Sequence, residues 1–318
     1  MRSAPLVSVV CATFNRPEAV ARLLDALAGQ DLDGRFEVLL SDDGSPSAVL
    51  ERLRSLVASS PLDVRLLENG RNRGACAARN AGWRAASAPS IAFTDDDCRP
   101  DPSWLRHGLA ALETSDVVVG AVRPDPDQLR HAGPWARTLR VEDARYFQTA
   151  NVLYRRDDLD QVGGFDERFV HGGEDTDLGM RVVALGRRAV FDPHAAVVHD
   201  VREESAWSLA WISARRWRDL PLVVKCHPQL RVTAAYRRWF WKRSHPPALV
   251  ALLGLLIGPF ALPGSLLVAP YLWERLVRHP PARAWRRRLR LLPGAFLVDV
   301  AEVVACVRGS ARHRTLLL

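Results

Sequence analysis

Three consecutive carboxylates follow an apolar, strand-like segment in the first third of the chain. Residues 91–94 lead directly into Asp95, Asp96 and Asp97. Like charges side by side repel one another, and holding them near an apolar core is costly unless a divalent cation lies among them. A hard cation held at the end of a strand commonly binds a phosphate-bearing ligand, because the metal bridges two sets of anionic oxygens. The alternative is a solvated acidic turn, and this run alone supports both interpretations equally.

Two further motifs, both within the first 80 residues, have an ordinary and a functional interpretation. Asp42 and Asp43 end a second apolar run before Gly44, and Asp-Gly is a strong turn signal. The functional interpretation is that an aspartate accepts a hydrogen bond from a nucleobase N–H, but alone the turn is favoured. Arg73 and Arg79 flank a predicted helix start, where they fit a capped and solvated helix. With a nucleotide present, Arg73 would instead face the base or the diphosphate.

Glu174 and Asp175 stand at the predicted start of a helix, where carboxylates cap the helix and complement its dipole. The functional interpretation is a general base that removes a proton from an acceptor hydroxyl. Gly172 and Gly173, directly before them, would let a ligand approach the backbone, which slightly favours this second interpretation. His199 alone is more often a satisfied histidine than a ligand, although a neutral imidazole would complete a carboxylate metal site.

The elements that must position these residues alternate between strand and helix. Apolar runs predict strands over residues 6–11, 36–40, 64–67 and 91–94, with helical spacing between them. This alternation predicts an α/β fold with a parallel sheet and crossover helices, in which ligands bind beyond the carboxyl ends of the strands. Those ends carry Thr13, Asp42, Asp43 and the three aspartates. Prolines predict loops over residues 117–146, and Gly186 is expected to end the helix that begins near Glu174.

Taken together, the motifs resemble those of the inverting family 2 glycosyltransferases, which have a GT-A fold. The resemblance covers about residues 5–200, and six pieces occur in the family's order. They are Val9-Val10-Cys11-Ala12-Thr13-Phe14-Asn15-Arg16, Asp42-Asp43-Gly44-Ser45, Asn72-Arg73-Gly74 through Arg79-Asn80, Asp95-Asp96-Asp97, Gly163-Gly164-Phe165-Asp166 and Gly173-Glu174-Asp175-Thr176-Asp177. One such piece would be weak, but six in register are specific.

The resemblance implies a Rossmann-like, mainly parallel sheet flanked by helices, with a nucleotide-sugar site at its edge. Thr13 and Asp42 would line the base and ribose pocket, with Arg73 nearby. The remaining residues assigned to the nucleotide sugar are Asn15, Arg16, Asp43, Arg79, Asp95 and Asp96.

The resemblance also implies a metal site and a general base. Asp97 would bind the divalent cation, Mn²⁺ or Mg²⁺, that bridges the diphosphate, and Asp95 would contact the ribose or the metal. His199 resembles the late histidine that completes metal coordination in some members. Asp175, with Glu174 beside it, would be the general base. The triple aspartate leaves open which pair forms the metal motif and whether Asp96 has only a structural role.

The predicted enzyme is a metal-dependent, inverting glycosyltransferase that uses a nucleotide-diphospho-sugar. The cation neutralises the departing nucleoside diphosphate, while a carboxylate activates the acceptor hydroxyl for in-line attack. One alternative, a nucleotidyl- or phosphotransferase, should retain a GxxxxGK[ST] phosphate loop, and the sequence has none. The other is a catalytically inactive nucleotide-sugar-binding membrane scaffold, against which Asp97 and Asp175 argue.

Charge divides the chain at about residue 200. Residues 1–200 hold 24 Lys and Arg against 30 Asp and Glu, whereas residues 201–318 hold 20 against 6. Between residues 207 and 243, five tryptophans interleave with Lys and Arg. Such asymmetry indicates a basic surface for an anionic partner, either a membrane or a nucleic acid.

An uncharged segment over residues 246–273 decides between these partners. It exceeds the ~20 residues of a membrane-spanning helix, but Pro259, Pro263 and Pro270 make a kinked span or a re-entrant hairpin at least as well supported. Such a segment has no use in nucleic-acid binding, and tryptophan beside arginine is typical of a bilayer interface. A buried core hairpin is less favoured, because the flanking basic clusters suit anionic headgroups. Five arginines over residues 283–290 then precede an apolar stretch over residues 291–307, broken by Asp299 and Glu302, which predicts an interfacial amphipathic helix.

We therefore predict a catalytic domain over residues 1–200, a basic Trp/Arg-rich helical linker over 201–245, and a membrane hairpin or helix with an amphipathic C-terminal helix over 246–318. Five cysteines without CxxC spacing argue against a disulfide framework and a structural zinc site. The first residues lack the long apolar core of a signal peptide. We expect membrane association with the catalytic domain on the cytoplasmic face and no nucleic-acid partner. A lipid-linked or cell-envelope glycan as the acceptor is a hypothesis.

Overall fold

The computed structural model describes residues 4–257, 266–279 and 284–318, which form two compact units. Unit 1 comprises the chain up to Arg130, Thr138–Val170 and Glu174–Val201. Unit 2 comprises His131–Arg137, His171–Gly173 and the described residues from Arg202 onward. The two short segments of unit 2 that precede residue 200 lie within the range predicted for the catalytic domain.

The first half of unit 1 has the predicted alternation of strands and parallel crossovers. The strands are β1 (Val7–Thr13), β2 (Phe36–Asp42), β3 (Val64–Glu68) and β4 (Ser90–Asp95). The helices between them are α1 (Pro17–Ala28), α2 (Ser47–Ser59) and α3 (Ala75–Ala85). β1 pairs in parallel with both β2 and β4, and β2 pairs in parallel with β3. The apolar runs of β1, β2 and β4 are buried on both faces, as is typical of parallel strands, whereas the edge strand β3 is only partly buried.

The second half of unit 1 makes the sheet mixed rather than mainly parallel. It adds β5 (Cys98–Pro100), β6 (Val117–Pro124), β7 (Asn151–Arg155) and β8 (Ala189–His199), and the sheet order is β3-β2-β1-β4-β7-β6-β8-β5. β7 is antiparallel to β4 and β6, and β5 is antiparallel to β8. The helices of this half are α4 (Trp104–Glu113), α5 (Pro126–His131), α6 (Arg156–Val162) and α7 (Glu174–Ala184).

The prediction of loops over residues 117–146 is wrong for β6 and α5. Val117, Val118 and Val119 are fully buried, and this β-branched run pairs with β7 and β8. Pro124 ends the strand and Pro126 begins the helix. Proline is tolerated at both positions, so these residues mark boundaries instead of excluding regular structure.

A buried carboxylate joins the amino ends of β1 and β2. Ser8 Oγ donates to Glu37 Oε1 at 2.6 Å, and Ser87 donates to the same oxygen from its backbone N at 2.6 Å and its hydroxyl at 2.7 Å. Burial alone would raise the pKa of Glu37, but the hydrogen bonds from Ser8 and Ser87 hold it below its ordinary value. The ionised carboxylate therefore stabilises this end of the sheet.

Unit 2 is helical in the described residues. Its helices are α8 (Ala206–Arg216), α9 (Leu220–Cys226), α10 (Leu230–Thr233), α11 (His245–Ile257), α12 (Ala269–Trp273) with a π-helical turn (Glu274–Arg278), and α13 (Trp285–His313). Asp299 of α13 is fully buried and accepts hydrogen bonds from Tyr271 Oη at 2.7 Å, Arg275 Nε at 2.9 Å and Ser244 Oγ at 2.9 Å. Buried ionic contacts thus hold α13 to the helices before it.

The segments predicted to enter a membrane are only partly covered by the structure. Within residues 246–273, α11 and α12 are helical, whereas residues 258–265, which include Pro259 and Pro263, lie outside the described residues. None of the described helices combines the length and the apolar character needed to cross a bilayer. α13 is longer than the predicted amphipathic helix over 291–307, and its two acidic residues, Asp299 and Glu302, are buried inside unit 2.

Candidate functional site

The predicted polar residues meet at the carboxyl edge of β1, β2 and β4. In the strand register, Thr13 lies opposite Asp42, and Ala12 lies opposite Asp95. Asp43 N also donates to the carbonyl oxygen of Thr13 at 2.9 Å. Parallel pairing therefore brings residues from three distant parts of the sequence to one edge.

The three aspartates face different partners. Asp96 is buried, accepts a hydrogen bond from Thr13 Oγ1 at 2.8 Å and pairs with the Arg16 guanidinium, which also reaches Asp97 Oδ2 at 3.1 Å. Burial raises the pKa of Asp96 to about 6, against the lowering effect of Arg16 and Thr13. The Asp95 side chain is 29% exposed, whereas Asp96 and Asp97 are each about 5% exposed or less. Asp96 thus connects protein elements, and Asp95 faces outward.

Asp97 and His199 offer a pair of metal ligands. His199 Nε2 lies 3.4 Å from Asp97 Oδ1, and β5 and β8 pair Cys98 with His199. His199 Nδ1 lies 2.7 Å from the carbonyl oxygen of Asp200, and a carbonyl only accepts, so Nδ1 carries the proton. A neutral imidazole then has its Nε2 lone pair directed toward Asp97, which is the tautomer a metal requires. Adjacent ligand atoms at about 2.1 Å from one cation are about 3 Å apart, so the separation fits.

Cys98 lies beside this pair but is a poor ligand for a hard cation. Its Sγ, the Asp97 carboxylate and the His199 imidazole offer ligand atoms within 4.8 Å of one another. Burial, with nearby Asp95 and Asp97, raises the pKa of the Cys98 thiol well above its ordinary value, and Sγ donates to the Ala150 carbonyl at 3.7 Å. The oxygen and nitrogen donors therefore suit Mn²⁺ or Mg²⁺ better than a soft, thiolate-bound metal.

Arg79 of α3 connects the triple aspartate with the start of α7. Its guanidinium is 8% exposed and donates to Asp95 Oδ1 at 2.9 Å and to Glu174 Oε1 at 3.1 Å. The ring of Phe165 lies 5.8 Å from the guanidinium carbon. Burial lowers the pKa of Arg79, but Asp95 and Glu174 raise it by more, so it stays charged. The structure thus brings together two carboxylates that are 79 positions apart in the sequence.

The Asp42 carboxylate accepts hydrogen bonds from the turn that directly follows it. It is fully buried and accepts hydrogen bonds from Gly44 N at 3.0 Å, from Ser45 N at 2.8 Å and from the Ser45 hydroxyl. Gly44 has a φ of +81°, and a Cβ there would lie 2.4 Å from the carbonyl carbon of Arg71. Ser45 Oγ in turn accepts from Asn15 N at 2.8 Å. The turn interpretation describes these contacts, and Asp42 holds the turn at the carboxyl end of β2.

Asp43 holds the segment that carries Arg73. Its two carboxylate oxygens accept hydrogen bonds from Arg73 N and Gly74 N, both at 2.8 Å. The Arg73 side chain is half exposed and donates to Glu167 Oε2 at 2.8 Å. Glu167 was not identified from the sequence, because its only signal is its place just after the Gly163-Gly164-Phe165-Asp166 motif. Arg73 is thus at the edge of the site and its present partner is a surface carboxylate.

Glu174 and Asp175 begin α7 and have different partners. Glu174 is held by Arg79, whereas Asp175 Oδ1 accepts from Thr176 N at 2.7 Å. Thr176 Oγ1 donates to the Tyr146 carbonyl at 3.1 Å, which fixes the first turn. Glu174 is therefore paired with a guanidinium, and Asp175 is hydrogen-bonded to the first turn of its own helix.

Unit 2 contains a cavity of about 270 Å³ beside the glycines that precede α7. It is lined by Gly172, Gly173, Arg216, Trp217, Leu220 and Trp241. His171 N donates to Asp219 Oδ2 at 2.9 Å, which fixes the glycine segment within this unit. Aromatic rings with a few polar groups are typical of ligand pockets. Arg216, Trp217 and Trp241 were noted from the sequence only as part of the basic, tryptophan-rich stretch, because nothing in the sequence places them beside Gly173.

Comparison with known proteins identifies relatives of this chain. A family model described as Glycosyl transferase family 2 matches residues 8–166, half of the chain. Validoxylamine A glucosyltransferase of Streptomyces hygroscopicus subsp. limoneus is 33% identical over 221 residues, covering 57% of this chain and 49% of the relative. Pre-mycofactocin glycosyltransferase of Mycobacterium tuberculosis (strain CDC 1551 / Oshkosh) is 30% identical over 242 residues, covering 70% and 48%. The chain spans about half the length of these curated relatives.

Solved structures share the fold. The mannosyltransferase PcManGT from Pyrobaculum calidifontis, in complex with GDP-Man and Mn²⁺, has a TM-score of 0.65 and 19% identity, covering 96% of this chain and 87% of that chain. TarS 1-349 of S. aureus, in complex with UDP-GlcNAc, has a TM-score of 0.53 and 18% identity, covering 99% and 93%. These likenesses confirm the predicted α/β, GT-A-like fold with helices flanking the sheet, although the sheet is mixed and not mainly parallel as predicted.

Proposed function

The chain belongs to glycosyl transferase family 2, and from this premise we propose that it is a metal-dependent, inverting glycosyltransferase. It moves a sugar from a nucleotide-diphospho-sugar to a hydroxyl group of an acceptor. The observation that carries the proposal is the Arg79 bridge between Asp95 and Glu174, which joins the triple aspartate to the start of α7, where Asp175 lies. That PcManGT was solved with GDP-Man and Mn²⁺ supports the donor class and the cation.

Asp97 and His199 would hold the cation. Asp95, which the resemblance also assigned to it, is not among the ligand atoms that lie within 4.8 Å of one another. When bound, a divalent cation neutralises charge on the departing nucleoside diphosphate. The Arg16 guanidinium pairs with both Asp96 and Asp97, and this shared ion pair fixes the orientation of the two carboxylates. Thr13 and the Asp42 turn form the wall against which the base and ribose lie. Mn²⁺ and Mg²⁺ both suit this donor set.

Asp175 acts as the general base in this proposal. Its carboxylate accepts the proton of the acceptor hydroxyl as the acceptor oxygen bonds to the anomeric carbon. The bond from that carbon to the diphosphate oxygen breaks on the opposite face, so configuration inverts. Glu174 is already paired with Arg79, which leaves it a positioning role at the start of α7.

The cavity of unit 2 has Gly173 in its wall and a lining that suits a sugar. Trp217 and Trp241 offer flat faces for a sugar ring, and Arg216 offers a donor for its oxygens. A glycan acceptor is therefore supported by the pocket's lining.

We further propose that the protein is associated with a membrane, with its catalytic unit on the cytoplasmic face, and that its acceptor is lipid-linked. Support comes from the exposed apolar side chains of α11 and α12, including Leu253, Leu256 and Trp273, beside a basic surface. Comparing transfer to a water-soluble sugar and to its lipid-linked form tests the acceptor. Equal activity on both would remove the reason for a lipid-linked acceptor.

A donor screen tests the catalytic proposal. Nucleoside diphosphate release is measured from UDP-, GDP- and dTDP-sugars with Mn²⁺, with Mg²⁺ and with EDTA. Asp97→Ala should abolish metal-dependent release, and Asp175→Asn should retain donor binding but lose transfer. Asp127→Asn, which removes an exposed carboxylate of unit 1, is the matched control and should behave as the parent. Donor binding without release, even with lipid acceptors supplied, would favour the non-catalytic scaffold, and transfer of a nucleotidyl group would favour a nucleotidyltransferase.

A further inference from the structure

Unit 2 contains a second, larger groove with one cationic side and one apolar side. It has a volume of about 710 Å³, within the range of ligand sites in proteins. The cationic side chains at the groove are Arg237, Arg243 and Arg278, and the apolar side includes Val250, Leu266 and Trp273. All of these residues belong to unit 2. The groove therefore combines two chemistries that an ordinary polar metabolite does not need together.

Two of the arginines share one aromatic ring. The guanidinium carbons of Arg237 and Arg243 lie 5.4 Å and 5.7 Å from the centroid of the Tyr236 ring. The two cations are consequently at most about 11 Å apart. Among the described residues, no carboxylate pairs with either side chain. Two neighbouring cations without an anion repel each other, so an anionic ligand between them would be stabilised.

The acidic residues of this region do not neutralise the groove. Asp219, Asp299 and Glu302 are buried and held by partners inside unit 2. Glu274 lines the groove but is itself buried, with its Oε1 2.8 Å from His279 Nδ1 and its other oxygen 3.9 Å from Arg278. The positive charge that Arg237 and Arg243 bring to the groove is therefore not offset by the protein.

The apolar side chains of the groove are largely exposed to solvent. Leu266 is 71% exposed, Trp273 is 61% exposed and Val250 is 37% exposed. An exposed apolar patch at this position costs free energy that hydrocarbon contact would recover. A ligand that satisfies both sides is an amphiphile with an anionic head and a hydrocarbon chain.

We propose that this groove binds an anionic membrane lipid, with its phosphate between Arg237 and Arg243 and its chain along Val250, Leu266 and Trp273. The inference deepens the membrane part of the proposed function and does not depend on its catalytic part. Arginine suits the phosphate because its donors match the oxygens in pairs. The groove thereby selects a charged lipid from among the uncharged and zwitterionic ones.

Vesicle binding of the full chain, measured by cosedimentation without any donor sugar, tests the groove. Vesicles of phosphatidylcholine with phosphatidylglycerol are compared with vesicles of phosphatidylcholine alone. The double variant Arg237→Gln/Arg243→Gln should lose about 10-fold or more in binding to the anionic vesicles, because each arginine near a lipid surface contributes about 1 kcal/mol. The charge-matched control Arg312→Gln/Arg314→Gln removes two exposed arginines of unit 2 that belong neither to the groove nor to the basic cluster over residues 283–290, and it should retain binding within about threefold. Equal losses in the two variants would overturn the proposal in favour of general charge attraction.

Two further arms separate the lipid from a free phosphate and from misfolding. Short-chain phosphatidic acid should compete with the vesicles, whereas glycerol 3-phosphate at the same concentration should not. Equal competition by both would assign the groove to a phosphate compound without a chain and overturn the proposal. Arg237→Lys/Arg243→Lys keeps the charge but not the paired donors, so it should lose less binding than the glutamine variant, with an unchanged unfolding temperature. If the parent protein binds the anionic vesicles but releases no nucleoside diphosphate in the donor screen, the catalytic proposal alone is refuted.

Discussion

Arg79 provides the sharpest test of how the site is held together. Its nearly buried guanidinium binds Asp95 and Glu174, which are 29% and 16% exposed. Arg79→Met would leave both carboxylates without a cation. Breaking a buried ion pair typically costs about 3–5 kcal/mol, and since both carboxylates regain some water we expect about 3 kcal/mol. For a unit of this size, that lowers the unfolding temperature by about 6–12 °C.

The same variant should separate metal binding from transfer. Removing a positive charge beside Asp95 makes the site more negative, so Mn²⁺ should bind at least as tightly as in the parent. Transfer should still fall about 100-fold, because Glu174 and the start of α7 are no longer positioned. Arg79→Lys keeps one charge but not the paired geometry, and an intermediate loss of about 1–2 kcal/mol is expected. Isothermal titration with Mn²⁺, thermal unfolding and product release are measured on the same preparation.

Arg84→Met is the matched control for this experiment. Arg84 lies on the same helix α3, is exposed, and contacts the Trp83 ring at 5.1 Å and the Gly163 carbonyl at 3.2 Å. A change of less than about 0.5 kcal/mol is expected, as for most surface substitutions. A parent-like unfolding temperature in Arg79→Met, or Mn²⁺ binding that weakens, would refute the bridging role.

Three other expectations concern stability. Glu37→Gln should cost about 1–2 kcal/mol at pH 7 by thermal unfolding. Because the native pKa of Glu37 is lowered, this difference should shrink as the pH falls from about 4.3 through the native value, and a difference that persists there would contradict the reasoning. Gly44→Ala should cost about 2 kcal/mol or more, because its Cβ meets backbone, whereas Gly70→Ala, with a φ of +72° but open space, should cost about 1 kcal/mol. Asp299→Asn should lower the stability of unit 2 by about 3 kcal/mol in urea unfolding, and a parent-like midpoint would show that its contacts contribute nothing net.

The first half of unit 1 was predictable from the sequence because its signals are local. β1, β2, β3 and β4 are apolar runs bounded by turns, and each prediction differs from the observed strand by at most two residues at either end. In a parallel sheet, a motif that directly follows a strand lies at the carboxyl edge of the sheet, whatever its sequence. Thr13 and Asp42 were therefore expected at one edge, and the register confirms that they are opposite each other.

The second half was less predictable, because long-range pairing decides it. β7 lies inside the sheet and is antiparallel to both of its neighbours, β4 and β6. It covers only Asn151–Arg155, and no local sequence pattern indicates which strands it pairs with. The contacts of Arg79 also depend on where α7 begins in space. From sequence alone, an arginine on a helix is predicted to be solvated. Only the folded structure shows that two carboxylates lie beside Arg79. The assignment of nucleotide-binding, metal and base roles to individual residues stays a prediction.

The carboxylates around the triple aspartate are only partly neutralised by their protein partners. Each of the three aspartates has a protein partner, because Arg16 pairs with Asp96 and Asp97 and Arg79 pairs with Asp95. Repulsion among the aspartates alone therefore does not require a cation. Arg79 also serves Glu174, however, so four carboxylates share two guanidiniums and a charge of about −2 remains when all are ionised. That deficit equals the charge of one divalent cation, and the 3.4 Å separation of His199 Nε2 and Asp97 Oδ1 indicates where such a cation would bind.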